Sequence, residues 1–235
     1  MRVKYFVAIL ILVAVGLLPA PAHAAGVVTV CDEAHLLAAV AGAGRVTFAC
    51  SGTIILSNTL TITGGVTIDG SGQDVTFSGN DAVRVLAVGL GGTLNLNQLT
   101  IANGRADFGG GMHSRGTVTV SNSIFRDNDA DLYGGGIYIG GGQMTVKNST
   151  FSDNHSALSS GGIHSLNGTL TVSNSVFSGN RAYDQGGGIF ANGGTLTVSD
   201  STFSANRANW GGGIYNMAGV RMTVSNSTFT GNRAG

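Results

Sequence analysis

The sequence predicts an all-β chain wound as a parallel β-helix, and three observations lead there. Phenylalanines fall at Phe125, Phe151, Phe177, Phe203 and Phe229, always 26 residues apart, each followed three residues later by Asn128, Asn154, Asn180, Asn206 or Asn232. A fixed period of this size marks a solenoid. Within each period, stretches such as "TVTVSNS" and "GGGIY" alternate apolar residues with Thr, Ser or Gly, and no window carries the i, i+3, i+4 apolar spacing of a helix. The unit is therefore made of short strands. A repeat of 26 residues is too short for two helices and a turn, but it holds three short strands and three turns, which is one coil.

The first element, "MRVKYFVAILILVAVGLLPAPAHA", begins with two cations, continues as an apolar run and ends in Ala22-His23-Ala24. It reads as a signal peptide over residues 1–24, cleaved before Ala25. Nothing later is apolar for the length a membrane helix needs, so no transmembrane segment is expected after cleavage. Without Arg2 and Lys4 the chain keeps 10 Lys+Arg against 12 Asp+Glu, a net charge of −2. That balance offers no electrostatic footprint for nucleic acid.

Residues 25–45 form the N-terminal cap. Asp32 to Ala41, "DEAHLLAAVA", is the one plausible helix, opened by acidic residues where a helix N-terminus favours them. Laid over the first coil, it covers an otherwise open sheet edge. Cys31 and Cys50 are expected to pair in an oxidising compartment, the alternative being two buried thiols.

From residue 46 to the end runs the solenoid, seven to eight coils in all. "VTFAC", "TIIL", "LTI", "VTI", "VTF", "VRVLAV" and "TLNL" carry the strand pattern irregularly as far as Leu96, and the regular repeats begin at about residue 116. Val118, Met144, Leu170, Leu196 and Met222 are expected to form one inward column, and the phenylalanines another with their rings stacked. Asn122, Asn148, Asn174, Asp200 and Asn226 mark one bend, and the FxxN asparagines a second, where stacked amides can bond from coil to coil. The triple glycines at 134–136, 186–188 and 211–213 fit corners that need unusual φ or close backbone approach. They lack the Lys-Ser/Thr that a phosphate loop requires.

The GGGI and FxxN pair resembles the repeat of chlamydial-type polymorphic outer-membrane proteins. The opening "VVTVCDEAHLLAAV" with "VTFACSGTI" and "TIDGSG" resembles the start of bacterial secreted right-handed parallel β-helix proteins of the pectate-lyase-like superfamily, and the likeness runs from about Val27 to Gly235. The resemblance implies a right-handed helix, export to the cell surface, outer membrane or medium, and either a scaffold or adhesin-like role or a polysaccharide lyase or hydrolase.

The chemistry favours the scaffold. An enzyme of that superfamily would be expected to show a carboxylate cluster for Ca²⁺ or paired aspartates on adjacent coils, and acidic residues here rarely recur at one repeat position. Asp127, Asp129 and Asp131 in "DNDAD" are the metal candidate, yet the glycine and glutamate of a Ca²⁺ loop are missing, so a solvated turn is the preferred reading. No cofactor is expected. Arg181, Arg207 and Arg233 form a basic column that offers anionic polymers a handle. His113, Tyr138, His164, Phe190 and Tyr215 follow the inward residues of the GGGI strand and should face outward in one column. That column either protects the sheet surface or serves as a ledge for the rings of a polysaccharide or cell-surface glycan. A last expectation concerns "FTGNRAG": it breaks off inside a coil, and an uncapped coil invites self-association.

Overall fold

The computed structural model describes residues 26–42, 44–217 and 219–235, so the expected leader lies outside the described residues. The chain is a right-handed solenoid of about seven turns with one short helix near the N-terminus. Neighbouring coils pair in parallel and in register. A representative coil runs Thr117–Ser121, Ile124–Arg126, Asp129–Tyr133, Ile137–Gly140. These strands belong to sheets of nine, eight, six and seven strands respectively, here called the first, second, third and fourth.

The third sheet corrects the expectation of three strands per coil. It starts at Arg105–Phe108 and its later members, such as Arg181–Ala182 and Arg207–Ala208, have only two residues. Segments that short show no alternation in a sequence. They exist because an equivalent segment one coil away supplies the backbone partners.

The expected inward columns are present. Val118, Met144, Leu170 and Leu196 pair in register and are almost wholly buried. The phenylalanine rings stack at centroid distances of 5.0, 4.8, 4.8 and 4.8 Å, within 8° of parallel. Each fully buried ring contributes roughly 1.5–3 kcal/mol, and stacking adds to that.

The two asparagine columns differ in job. In the FxxN column, the Asn154 amide donates to Asn180 Oδ1 at 2.9 Å and to the Phe125 carbonyl at 2.9 Å, and the pattern repeats at Asn128, Asn180 and Asn206. The other column is exposed, and its amide bonds are confined to Asn122 with Asn97 and Asn148 with Asn122. What its residues share, Asp200 included, is a left-handed φ of 48–51°. Asn and Asp tolerate that region better than other side chains, so this column is kept for backbone shape.

The cap helix spans Glu33–Ala41, and Asp32 caps it by accepting from the His35 amide at 2.9 Å. Leu36 is buried and Glu33 accepts from the Ser57 amide and hydroxyl at 2.9 and 2.6 Å, fastening the helix to the first coil. Cys31 and Cys50 are joined in a disulfide, the thiol alternative being ruled out in this structure. A strand unforeseen in the cap, Gly26–Val28, pairs with Gly44–Phe48 beneath the helix.

Candidate functional site

The outer face of the fourth sheet is built by the corners that precede it. Gly134 has φ +68, and a Cβ on Gly135 would sit 2.1 Å from the His155 carbonyl. Glycine suits both demands; one coil on, Ser160 takes the same turn at φ 63 and Gly161 keeps the close approach. The turn aims Met112, Ile137, Ile163 and Ile189 inward, all fully buried. The following residue in each strand therefore points out, and His113, Tyr138, His164, Phe190 and Tyr215 pair in register as one column.

The column is not the open ledge expected from alternation alone. Phe190, His164 and Tyr138 are only 3%, 4% and 9% exposed, while His113 and Tyr215 are half-buried. Rings from the ends of the third-sheet strands lean over it. Phe108 lies 5.2 Å from Tyr138, and Tyr133 lies 4.8 Å from His164, centroid to centroid. Within the column the rings sit 5.1, 5.2, 4.6 and 5.8 Å apart. The result is a continuous aromatic wall along the helix axis.

Two cavities open along this wall. One of about 370 Å³ is lined by Phe108, His113, Arg115, Tyr138, Leu166 and Asn167. The other, of about 340 Å³, shares Tyr138 and Leu166 and adds Tyr133, Leu158, His164 and Asp184 among its lining. The first is mainly apolar with a few polar groups, the composition of a small-molecule site, and the second is lined about equally by polar and apolar groups, Ser159, Gln185 and Asn192 among them.

Burial shapes the electrostatics. It drives the His164 pKa down to about 4, with the Ser159 backbone opposing. The His113 pKa falls to about 4 for the same reason, helped by Arg84 and Arg115. Both rings are neutral at physiological pH. Burial also raises the Tyr138 phenol. His164 Nδ1 is buried without a hydrogen-bond partner, as is the Ser165 hydroxyl on the inward side of the same strand. A buried nitrogen of this kind is costly unless something completes it.

The acidic candidates each have a side-chain partner. Asp127 pairs with Arg126 at 2.6 Å, Asp131 with Arg105 at 2.9 Å, and Asp129 with His155 at 2.6 Å and Arg105 at 3.7 Å. Among the described residues no three His, Cys, Asp or Glu side chains are grouped to hold a metal, and the run at 127–131 forms a turn and the start of the strand Asp129–Tyr133. Arg181, Arg207 and Arg233 stand in register, as expected from the repeat.

Two buried or half-buried charges were missed from the sequence. Asp69 is 7% exposed. Its burial alone would raise the pKa, but bonds from Ser71, Asn97 and Arg45 bring it to about 2. Arg84 donates to the Phe108 and Gly109 carbonyls at 2.8–3.1 Å and so props the ring that closes the first cavity. Asp69 stands in register with Asn97 and Ser121, but no other acid recurs in that column and both residues precede the regular repeats, so no periodic signal marks them.

A family model described as "Right handed beta helix region" matches residues 65–229. No curated protein and no solved structure matches the chain.

Proposed function

The chain belongs to the right-handed β-helix family, a fold that hosts unrelated activities, and from the groove on its fourth sheet we propose an exported, non-enzymatic scaffold that binds a polysaccharide. One observation carries this reading: an aromatic wall with two adjoining cavities runs along the axis, and its most buried histidine, His164, keeps a nitrogen without a partner. Pyranose rings offer an apolar C–H face to such a wall and hydroxyls to the polar groups beside it. Arg115 and Asn167, exposed at the rim of the first cavity, are placed to bond those hydroxyls. Export, to the medium or the cell surface, is supported by the leader-like first residues and by the disulfide, a bond favoured outside the reducing cytosol.

Asp184 is the sole carboxylate lining the two cavities among the described residues. Proton transfer on both sides of a glycosidic bond uses two such groups, which supports binding over turnover.

The test is retention of residues 25–235 on a panel of immobilised neutral polysaccharides, comparing the parent with Arg115→Ala/Asn167→Gly. These positions lie at the surface, so the fold should survive. Parent retention that the double variant loses supports the groove, and equal retention or none overturns it. Release of uronate or reducing ends from any polysaccharide, with or without Ca²⁺, would overturn the non-enzymatic part.

A further inference from the structure

The third sheet alternates as strictly as its short strands permit. Ala130, Ser156, Ala182 and Ala208 are buried. The residues before them point out, and they form the column Arg105, Asp129, His155, Arg181, Arg207, Arg233. In the lower half of this column acids sit among the basic groups, Arg105 pairing with Asp129 and Asp131, and His155 with Asp129. The upper half does not. Arg181, Arg207 and Arg233 are exposed, and among the described residues none has a carboxylate at ion-pair distance. Asp184 and Asp200, the nearest acids along the chain, make no ion pair with them.

Three like charges at the spacing of adjacent strands, about 4.8 Å, repel one another unless an anion lies across them. A second feature stands beside them. Tyr183 and Trp210 are 70% and 61% exposed, far more than the other large aromatics of this face. Tyr183 directly follows the two-residue strand Arg181–Ala182, in the bend that leaves it. The Trp210 amide donates to the Asp184 carbonyl at 2.8 Å, which sets its coil directly on that of Tyr183.

We propose that this strip, Arg181, Arg207 and Arg233 with Tyr183 and Trp210, binds a linear anionic polysaccharide laid along the helix axis. Guanidinium forks suit carboxylate and sulfate groups, which they grip in pairs. Exposed indole and phenol rings suit pyranose faces. A repeating ligand on a repeating column gains from each added contact without new chemistry. Nucleic acid fits less well, because three arginines on a chain of net charge −2 after loss of the leader make a narrow footprint for a polynucleotide. The strip's residues line neither cavity, although Trp210 continues the register of Tyr133, Ser159 and Gln185 that lines the second one.

The experiment measures affinity of residues 25–235 for four probes at low and moderate salt: alginate for carboxylates, dextran sulfate for sulfates, uncharged dextran, and single-stranded DNA. Variants are Arg181→Ser/Arg207→Ser, the matching double lysine variant, and Tyr183→Ser/Trp210→Ser, each checked for an unchanged thermal midpoint. The expected result is salt-sensitive binding to alginate, dextran sulfate or both, weakened about tenfold or more in the double serine variant, partly kept with lysine, and reduced when the aromatics are lost. Binding to one of the two anionic glycans names the anion. No binding to either, no change in the double serine variant, or DNA binding as tight as glycan binding and indifferent to the aromatic pair would each overturn the proposal. Arg181→Ser/Arg207→Ser should keep the parent's retention on neutral polysaccharides, which separates the strip from the groove.

Discussion

Asn154 donates through Nδ2 to Asn180 Oδ1 at 2.9 Å, and its backbone N–H reaches the same oxygen at 3.2 Å. One oxygen thus closes two donors of the coil below. The Asn180 amide group meanwhile bonds the Phe151 carbonyl and Asn206. Every polar atom of a buried side chain is used, and each bond spans two coils.

Asn180→Ala should therefore cost well beyond a typical surface change. It strands the Asn154 backbone N–H and one of its amide hydrogens in a dry turn and takes a side-chain donor from the Phe151 carbonyl and from Asn206 Oδ1, and each buried unsatisfied group costs roughly 1–3 kcal/mol. A loss of about 3 kcal/mol or more in urea denaturation is the expected outcome. Asn232→Ala, at a half-buried position in the last described coil, should lose less. Equal, small losses at both positions would mean the ladder is not what holds that turn.

These ladders were legible because a 26-residue period returns each side chain to the same place on the cross-section. Phe177 and Asn180 declare their depth by repetition alone. The groove was not legible in the same way. Its cover comes from Phe108 and Tyr133, which belong to coils offset by 24 residues at Arg105 and Asp129 rather than by 26. Alternation correctly put Tyr138 and Phe190 on the outer face, but it says nothing of what another sheet lays over them. Arg105, Asp129 and His155 likewise meet only through the third sheet, whose short strands leave no pattern to read.

His164 ties stability to pH. Its pKa is about 4 in the fold against 6.5 ordinarily, so between those values the unfolded chain binds the extra proton. Stability is thus full above about pH 6.5 and falls as pH drops toward 4, by on the order of 2 kcal/mol from this residue. His113 shifts the same way and adds to the slope. His164→Phe, matching Phe190 one coil above, removes the titrating group and the partnerless nitrogen together. It should raise the urea midpoint more at pH 5 than at pH 7.5. An identical gain at both pH values would show that His164 is not held neutral by burial.

The disulfide should act locally. Cys31 and Cys50 are 19 residues apart, a loop whose closure contributes roughly 3 kcal/mol in the chain-entropy model. Reduction should accelerate amide exchange over residues 26–50, where Leu36 seals the first coil, and leave the coils around Phe151 and Phe177 protected. Uniform acceleration along the chain would indicate that the solenoid unfolds as one unit from its cap.

The outermost described coil poses the last question. Leu196, Val198 and Phe203 are fully buried, whereas their partners one coil on, Met222, Val224 and Phe229, are 40%, 38% and 47% exposed. The strands carrying them are the end members of the first and second sheets, with one edge unpaired. We propose that a polypeptide of residues 25–235 covers this edge with the same edge of a second copy, since an open apolar edge recruits strands and a two-fold contact is self-complementary. Sedimentation over a concentration series should show a mass that rises with concentration. Met222→Lys/Val224→Lys should hold the protein monomeric, as should appending further coils or a charged capping helix. If the parent stays monomeric and stable at every concentration, the edge protects itself and the stacked-copy proposal is wrong.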